Sequence, residues 1–260
     1  MPGEILAIPP ERVAALLLFT AGSYACLAAC EGFAFRYMGQ SVSARRAGLT
    51  SLPANAIANG LGFGLVTGVA VRLQLYRGLG LSAKTLTAVV GLLSASTFVG
   101  GMIVLGMGLL AVGLADGGRP VRLLVAVILI SPASAWFLLR RKAPLSLRLR
   151  FAALAASLGD WLLSAAGLYV LSPRSLVEFP AFLVRFQAAS LIGSIVGAPG
   201  AIGPLEAATL SVLSTAGRLY EGAAYLVVYR MIFLILPLLL AGVGLAVARL
   251  LQLLLHKLRP

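Results

Sequence analysis

Five apolar runs, Val13 to Phe35, Thr85 to Leu114, Val121 to Leu139, Phe151 to Leu171 and Ala223 to Ala248, constrain this chain more than any other feature. About 20 residues of helix cross a hydrocarbon core about 30 Å thick. Inside that core every backbone amide has to be satisfied internally, so runs of this kind specify transmembrane helices. Only 11% of residues are charged, against about 25% in soluble domains. Glycine is 29 of 260 residues, which suits helices whose backbones approach closely. The run from Thr85 would be about 45 Å long as one helix, so it has to tilt, bend or protrude.

Two further segments are apolar but poor spanning helices. Residues 49–71 hold Pro53, Asn55, Asn59, Gly60, Gly62, Gly64 and Gly68. Residues 181–215 carry Arg185, Gln187 and Glu206 and are cut by Pro199-Gly200-Ala201-Ile202-Gly203-Pro204. Proline removes a backbone donor and glycine weakens a helix, so both segments are expected to break at depth. The arms of the second, 181–196 and 205–215, are about 24 and 16 Å long, too short to cross separately. A broken helix at membrane depth has to be buried in protein or line a cavity.

The positive-inside rule separates spanning from re-entrant placement. If both segments re-enter, one face collects Arg36, Arg45, Arg46, Arg72, Arg77, Lys84, Arg140, Arg141, Lys142, Arg148, Arg150, Arg249, Lys257 and Arg259, with no acids. The other face mixes Arg12, Arg119, Arg122, Arg174, Arg185 and Arg218 with Glu4, Glu11, Asp116, Glu178 and Glu221. If both spanned, the basic loop from Arg140 to Arg150 would face away from Arg45 and Arg46. The expected topology therefore has the N-terminus out, the C-terminus in and two re-entrant elements within a single polytopic domain, residues 1–260.

The order becomes helix, re-entrant loop, helix, one connecting helix, then helix, re-entrant loop, helix. The first trio dips from the cytoplasm and the second from outside, the layout of an inverted repeat with a binding site at mid-membrane. No residue-level identity links the trios, so the repeat is one of topology. A basic face beside anionic headgroups also accounts for the net charge of +13. No nucleic-acid partner is required.

Other motifs have plainer readings. Leu27-Ala28-Ala29-Cys30 resembles a lipoprotein cleavage box, but Glu4, Glu11 and Arg12 leave no positive n-region before it. Cys26 and Cys30, four apart, share a helical face. Gly60, Gly62 and Gly64 have no strand before them and no acid about 20 positions later, as a nucleotide loop requires. Gly60, Gly64 and Gly68 read as a close-packing stripe. His256, the single histidine, lies in the tail, so no Ser-His-Asp triad or histidine metal site can form in the membrane. Asp160 has no second acid for an aspartyl dyad. Catalytic residues, metal and cofactor are all expected to be absent.

The remaining ionisable residues within or bordering the spans are Glu31, Arg72, Asp160, Arg185, Glu206 and Arg230. Each has to pair, line a polar path or reach the interface. Helix-to-helix pairing alone is the competing reading for Asp160 and Arg230, and snorkelling is the competing reading for Glu31 and Arg72.

Four stretches now form an ordered pattern: Ser23-Tyr24 through Glu31 to Arg36; Asn55-Ala56-Ile57 through Gly62-Phe63-Gly64 to Arg72 and Tyr76; Asp160-Trp161 to Tyr169; and Ala198-Pro199-Gly200-Ala201-Ile202-Gly203-Pro204-Leu205-Glu206. With Tyr229-Arg230 and Pro237 the chain resembles the transmembrane part of lysylphosphatidylglycerol synthetase-like proteins, the bacterial aminoacyl-lipid flippases and their stand-alone relatives. The family usually has Pro-Gly-Gly where this chain has Pro199-Gly200-Ala201, and often an aspartate at the position of Glu31. Set against that family, the chain would begin about one helix late and would lack the aminoacyltransferase domain of the bifunctional members, so lipid aminoacylation is not expected of it.

The resemblance implies a lipid translocase of the bacterial inner membrane acting on an anionic or aminoacylated phospholipid. Its expected substrate-binding set is Glu31, Asn55, Asn59, Arg72, Tyr76, Asp160, Pro199, Gly200, Gly203, Glu206 and Arg230. Arg72 and Arg230 would hold phosphate, and Glu31 and Glu206 an ammonium group or a proton. Half-helix N-termini near Pro199 to Gly203 would add positive dipole ends. The alternative is a membrane scaffold whose basic face recruits a separate soluble lipid-modifying or glycosyl-transferring enzyme. Partners are then membrane phospholipid, such a synthase, or further copies of the chain.

Overall fold

The computed structural model describes residues 2–62, 64–117, 120–139, 146–172, 178–215 and 219–257. Arg119, Arg140, Arg141, Lys142, Arg174, Arg218 and Arg259 of the expected charge pattern lie outside the described residues. All regular structure among the described residues is helical: α1 (Pro2–Leu6), α2 (Pro10–Tyr37), α3 (Ala44–Leu61), α4 (Gly64–Leu75), α5 (Ala83–Ala115), α6 (Pro120–Leu139), α7 (Leu147–Leu171), α8 (Phe179–Val196), α9 (Pro204–Thr215), α10 (Leu219–Arg230) and α11 (Leu236–Lys257). A π-helical turn, Met231–Ile235, joins the last two.

Local chemistry sets several helix starts. Ser43, Ser82 and Ser146 are N-caps whose side chains accept from the amides of Arg46, Thr85 and Leu149. α2 begins at Pro10, where the missing amide hydrogen costs nothing.

Among the described residues, five helices are long and apolar enough to cross a membrane: α2, α5, α7, α8 and the stretch Tyr220–Val247. The chain is therefore a multi-pass, all-helical membrane protein. This set differs from the expected one at two places. α6 forms, but its apolar stretch among the described residues is the shorter Pro120–Ser131. α8 starts at Phe179 rather than 181, and its 18 residues reach about 27 Å, within the range of a span. The estimate that this arm is too short to cross came from placing its start two residues late. The expected length of α5 is exceeded, since its 33 residues run as one helix of about 50 Å.

Antiparallel packing organises the centre. Along α2 and α7, Leu16 faces Gly167, Gly22 faces Leu163 and Cys26 faces Gly159. A Cβ at any of these three glycines would come within 3.0 Å of its neighbour, so their small size brings the helices together. α5 runs antiparallel to α6, with Gly106 against Ile130 and Gly113 against Leu123. α5 also packs on α8, with Gly108 against Val184.

Both broken segments fold back as helical hairpins, α4 on α3 and α9 on α8. In the first, Pro53 sits inside a continuous α3 and the break falls at Gly62, whose φ of 74° favours glycine. That break also divides the expected glycine stripe. Gly60 stays on α3 against Leu238, while Gly68 turns on α4 towards Val90. In the second, Gly197, Gly200, Ala201 and Gly203 all have positive φ, and Pro199–Ala201 forms a short 3-10 turn. A Cβ on Gly193 would lie 2.5 Å from the Cβ of Ala201, so the turn folds tightly onto α8.

The two breaks meet. A Cβ built on Gly62 would lie 2.6 Å from the Gly197 carbonyl oxygen and 3.0 Å from the Pro199 ring. One hairpin follows α2 and the other follows α7, which runs antiparallel to it. The tips therefore approach one another from opposite ends of the bundle.

Candidate functional site

Each hairpin carries an arginine–glutamate pair to a flanking helix. At the first, Glu31 of α2 and Arg72 of α4 are buried, with relative exposures of 0% and 2%. These values decide against snorkelling for both. Arg72 Nε donates to Glu31 Oε1 at 3.0 Å, and Nη2 donates to Oε2 at 2.6 Å. This bidentate arrangement is the strongest that the two groups can make.

Neighbouring polar groups complete the cluster. Arg72 Nη2 also donates to Asn55 Oδ1 at 3.2 Å, and Nη1 to the Gly68 carbonyl at 3.3 Å. The Tyr76 hydroxyl donates to Glu31 Oε1 at 2.9 Å and accepts in turn from Thr50. Asn55 Nδ2 donates to the Ser51 carbonyl at 2.9 Å and to its hydroxyl at 2.8 Å. Phe35 packs edge-on to the Tyr76 ring at 5.0 Å. Glu31, Asn55, Arg72 and Tyr76, spread over 46 residues of sequence, thus form one network.

Asn59 does not join it. It is exposed, one turn beyond Asn55, beside the Tyr24 hydroxyl. Tyr24 donates to the carbonyl of Phe233 at 3.3 Å, inside the π-helical turn.

Asp160 forms a separate buried contact between α7 and α2. Ser23 donates to Asp160 Oδ1 at 2.5 Å and lies 3.4 Å from the Ser164 hydroxyl, which donates to the Asp160 carbonyl at 2.7 Å. Trp161 Nε1 donates to the Thr97 carbonyl at 2.7 Å, tying α7 to α5. Asp160 has no ion pair among the described residues.

The second arginine–glutamate pair joins α9 to α10. Glu206 Oε2 accepts from the Gly203 amide at 2.7 Å, and Oε1 pairs with Arg230 Nη1. The carboxylate thus occupies the amino end of α9, where a substrate anion was expected to lie. Pro199 sits at the hairpin contact, and a Cβ on Gly200 would push aside the end of the Leu234 side chain. Both side chains of the pair are partly accessible, at 22% for Arg230 and 28% for Glu206. The Nε and Nη2 atoms of Arg230 are buried and have no hydrogen-bond partner among the described residues.

Arg185 is exposed on α8 and joins neither pair. Sequence reasoning did not single out Thr50 and Ser51, although consecutive hydroxyls one turn before Asn55 in a membrane segment were a usable signal. It also left Ser23 and Ser164 without a role. Gln187 is wholly buried, and both amide atoms lack a hydrogen-bond partner among the described residues. Cys26 and Cys30 are free thiols, and no group of metal-ligating residues occurs among the described residues.

The fold and these pairs define an all-helical, multi-pass membrane protein with two opposed hairpins, each tied to a flanking helix by one arginine–glutamate pair. No family model matches the chain. It is similar to the uncharacterized protein slr0712 of Synechocystis sp., at 27% identity over 267 aligned positions that cover 94% of this chain and 82% of that protein.

Proposed function

We infer that the protein moves the headgroup of an anionic or aminoacylated phospholipid across a bacterial cytoplasmic membrane. The reading has the N-terminus outside and the basic face inside. It is supported above all by the meeting of the two hairpin tips at Gly62 and Pro199. In this reading the hairpin tips lie at mid-membrane, where half-helix ends bring backbone groups and charged side chains to a depth at which a continuous helix offers neither. The resemblance to aminoacyl-lipid flippases supports the same class of substrate.

In this mechanism the headgroup passes beside the hairpin contact while its acyl chains remain in lipid. The closed network around Glu31 and Arg72 anchors the first hairpin to α2. The more accessible Glu206–Arg230 pair, at the base of the second break, meets the headgroup. Alternating movement of the second hairpin against the anchored first one would expose the path to one leaflet and then the other.

The test is reconstitution of the full chain into vesicles holding a fluorescent phosphatidylglycerol, with a membrane-impermeant reductant added outside. Translocation predicts loss of signal beyond the outer-leaflet fraction, at a rate that rises with protein content. Loss limited to the outer leaflet at all protein contents contradicts the reading. Retention of a soluble lipid-modifying enzyme by that inactive protein would favour the scaffold role.

A further inference from the structure

The two arginine–glutamate pairs use different edges of the guanidinium. In Arg72 the Nε–Nη2 edge, whose two parallel N–H groups match the spacing of two oxyanion oxygens, is filled by both oxygens of Glu31. In Arg230 the contact to Glu206 is made through Nη1, and the Nε and Nη2 atoms are buried without an acceptor. Burying charged N–H donors without acceptors is costly, so such an edge in a folded protein calls for an explanation.

The surroundings suit a ligand better than a further protein acceptor. Both oxygens of Glu206 are engaged, one by Arg230 and the other by the Gly203 amide. Among the described residues, neither nitrogen of the free edge has a hydrogen-bond partner. Arg230 is also the last residue before the π-helical turn, a distortion that often accompanies functional positions.

From this contrast we propose that the Nε–Nη2 edge of Arg230 is the oxyanion subsite of the protein and takes two oxygens of a phosphate group in bidentate fashion. The assignment deepens the translocation reading and rests on it for the source of the phosphate, a lipid phosphodiester. Arg72, whose same edge is closed by Glu31, is not the phosphate ligand in this conformation. Glu206 competes electrostatically with the bound anion and weakens its binding.

Isothermal titration of the detergent-purified full chain with dihexanoyl-phosphatidylglycerol, and separately with inorganic phosphate, tests the assignment. The wild-type protein is expected to bind the lipid, and Arg230→Lys, which keeps the charge but loses the planar fork, to weaken binding at least about tenfold. Glu206→Gln is expected to tighten it, so a variant of opposite sign remains informative if Arg230→Lys fails to fold. Arg122→Lys, altered at the exposed pair with Asp116, controls for general charge effects. Binding of inorganic phosphate alone, with the same response to both variants, keeps the subsite and removes the lipid as its source.

Lipid binding that is unchanged in Arg230→Lys and Glu206→Gln, or no binding of either probe by the wild-type protein, overturns the proposal. The vesicle assay separates the two levels. Translocation that survives Arg230→Lys at the wild-type rate rejects the subsite and retains the function. Fork-dependent binding without translocation retains the subsite and rejects the function.

Discussion

Arg72 lies edge-on to Glu31, and its Nε and Nη2 each reach a different carboxylate oxygen in a setting from which solvent is excluded. Two charges buried together in this way are expensive to separate, because the survivor keeps its desolvation cost and loses its partner. The pair therefore fastens the first hairpin to α2, and its geometry makes a direct energetic prediction.

Replacing Glu31 with Leu or Arg72 with Met is expected to destabilise the protein by about 3 to 5 kcal/mol. The double substitution Glu31→Leu with Arg72→Met should recover most of that loss, because neither charge is then stranded. Denaturation of the four proteins in detergent, analysed as a double-mutant cycle, checks both statements. Additive losses in the double variant would show that the pair is not coupled.

Gly62 is confined by its positive φ and by the Gly197 carbonyl and Pro199 facing it. Gly62→Ala is expected to cost about 1 to 3 kcal/mol through backbone strain and separation of the tips. Gly91, within α5, has open space around its Cα, so Gly91→Ala should stabilise by up to about 1 kcal/mol. Melting temperatures of the two variants should shift in opposite directions. An unshifted Gly62→Ala would mean that the tips do not touch.

Asp160 accepts its side-chain hydrogen bond from Ser23 across the α2–α7 seam. Ser23→Ala is expected to cost about 1 to 3 kcal/mol by leaving a buried carboxyl oxygen without that donor. Asp160→Asn, whose amide oxygen still accepts from Ser23, should cost less. Equal losses in a denaturation series would place the contribution of Asp160 outside this contact.

Much of the architecture was legible because membrane spans impose long apolar runs and because proline and glycine mark breaks. The positions of α2, α5, α7 and the two hairpins follow from those signals. Helix ends were less legible: α8 begins two residues earlier than the apolar pattern suggests, which changes its reach. The fate of Pro53 depends on packing around α3, so sequence alone expected a break in that segment without showing that it falls at Gly62 rather than at Pro53. Gly60 and Gly68 looked like one stripe until the turn at Gly62 sent them to different neighbours.

The candidate site was legible in its residues and not in its pairings. Glu31 and Arg72 stood out as charges bordering apolar segments, yet their opposite signs were assigned to separate ligand groups rather than to each other. Their meeting depends on how α4 folds back, which is information about tertiary packing. Arg185 carried the same signal as Arg230, but the helical face on which it falls leaves it exposed. The free edge of Arg230 has no sequence signature, because it depends on which nitrogen Glu206 engages.

The central claim is that both broken segments re-enter from opposite sides of the membrane, and cysteine accessibility tests it most directly. With Cys26 and Cys30 replaced by alanine, single cysteines are placed at the exposed positions Ser41 and Lys84, flanking the first hairpin, and Glu178 and Tyr220, flanking the second. A membrane-impermeant maleimide should label residues 41 and 84 from one side of sealed vesicles, and residues 178 and 220 from the other. Labelling of 41 and 84 from different sides, or of 178 and 220 from different sides, would show that the segment between them crosses the membrane, and would contradict the account.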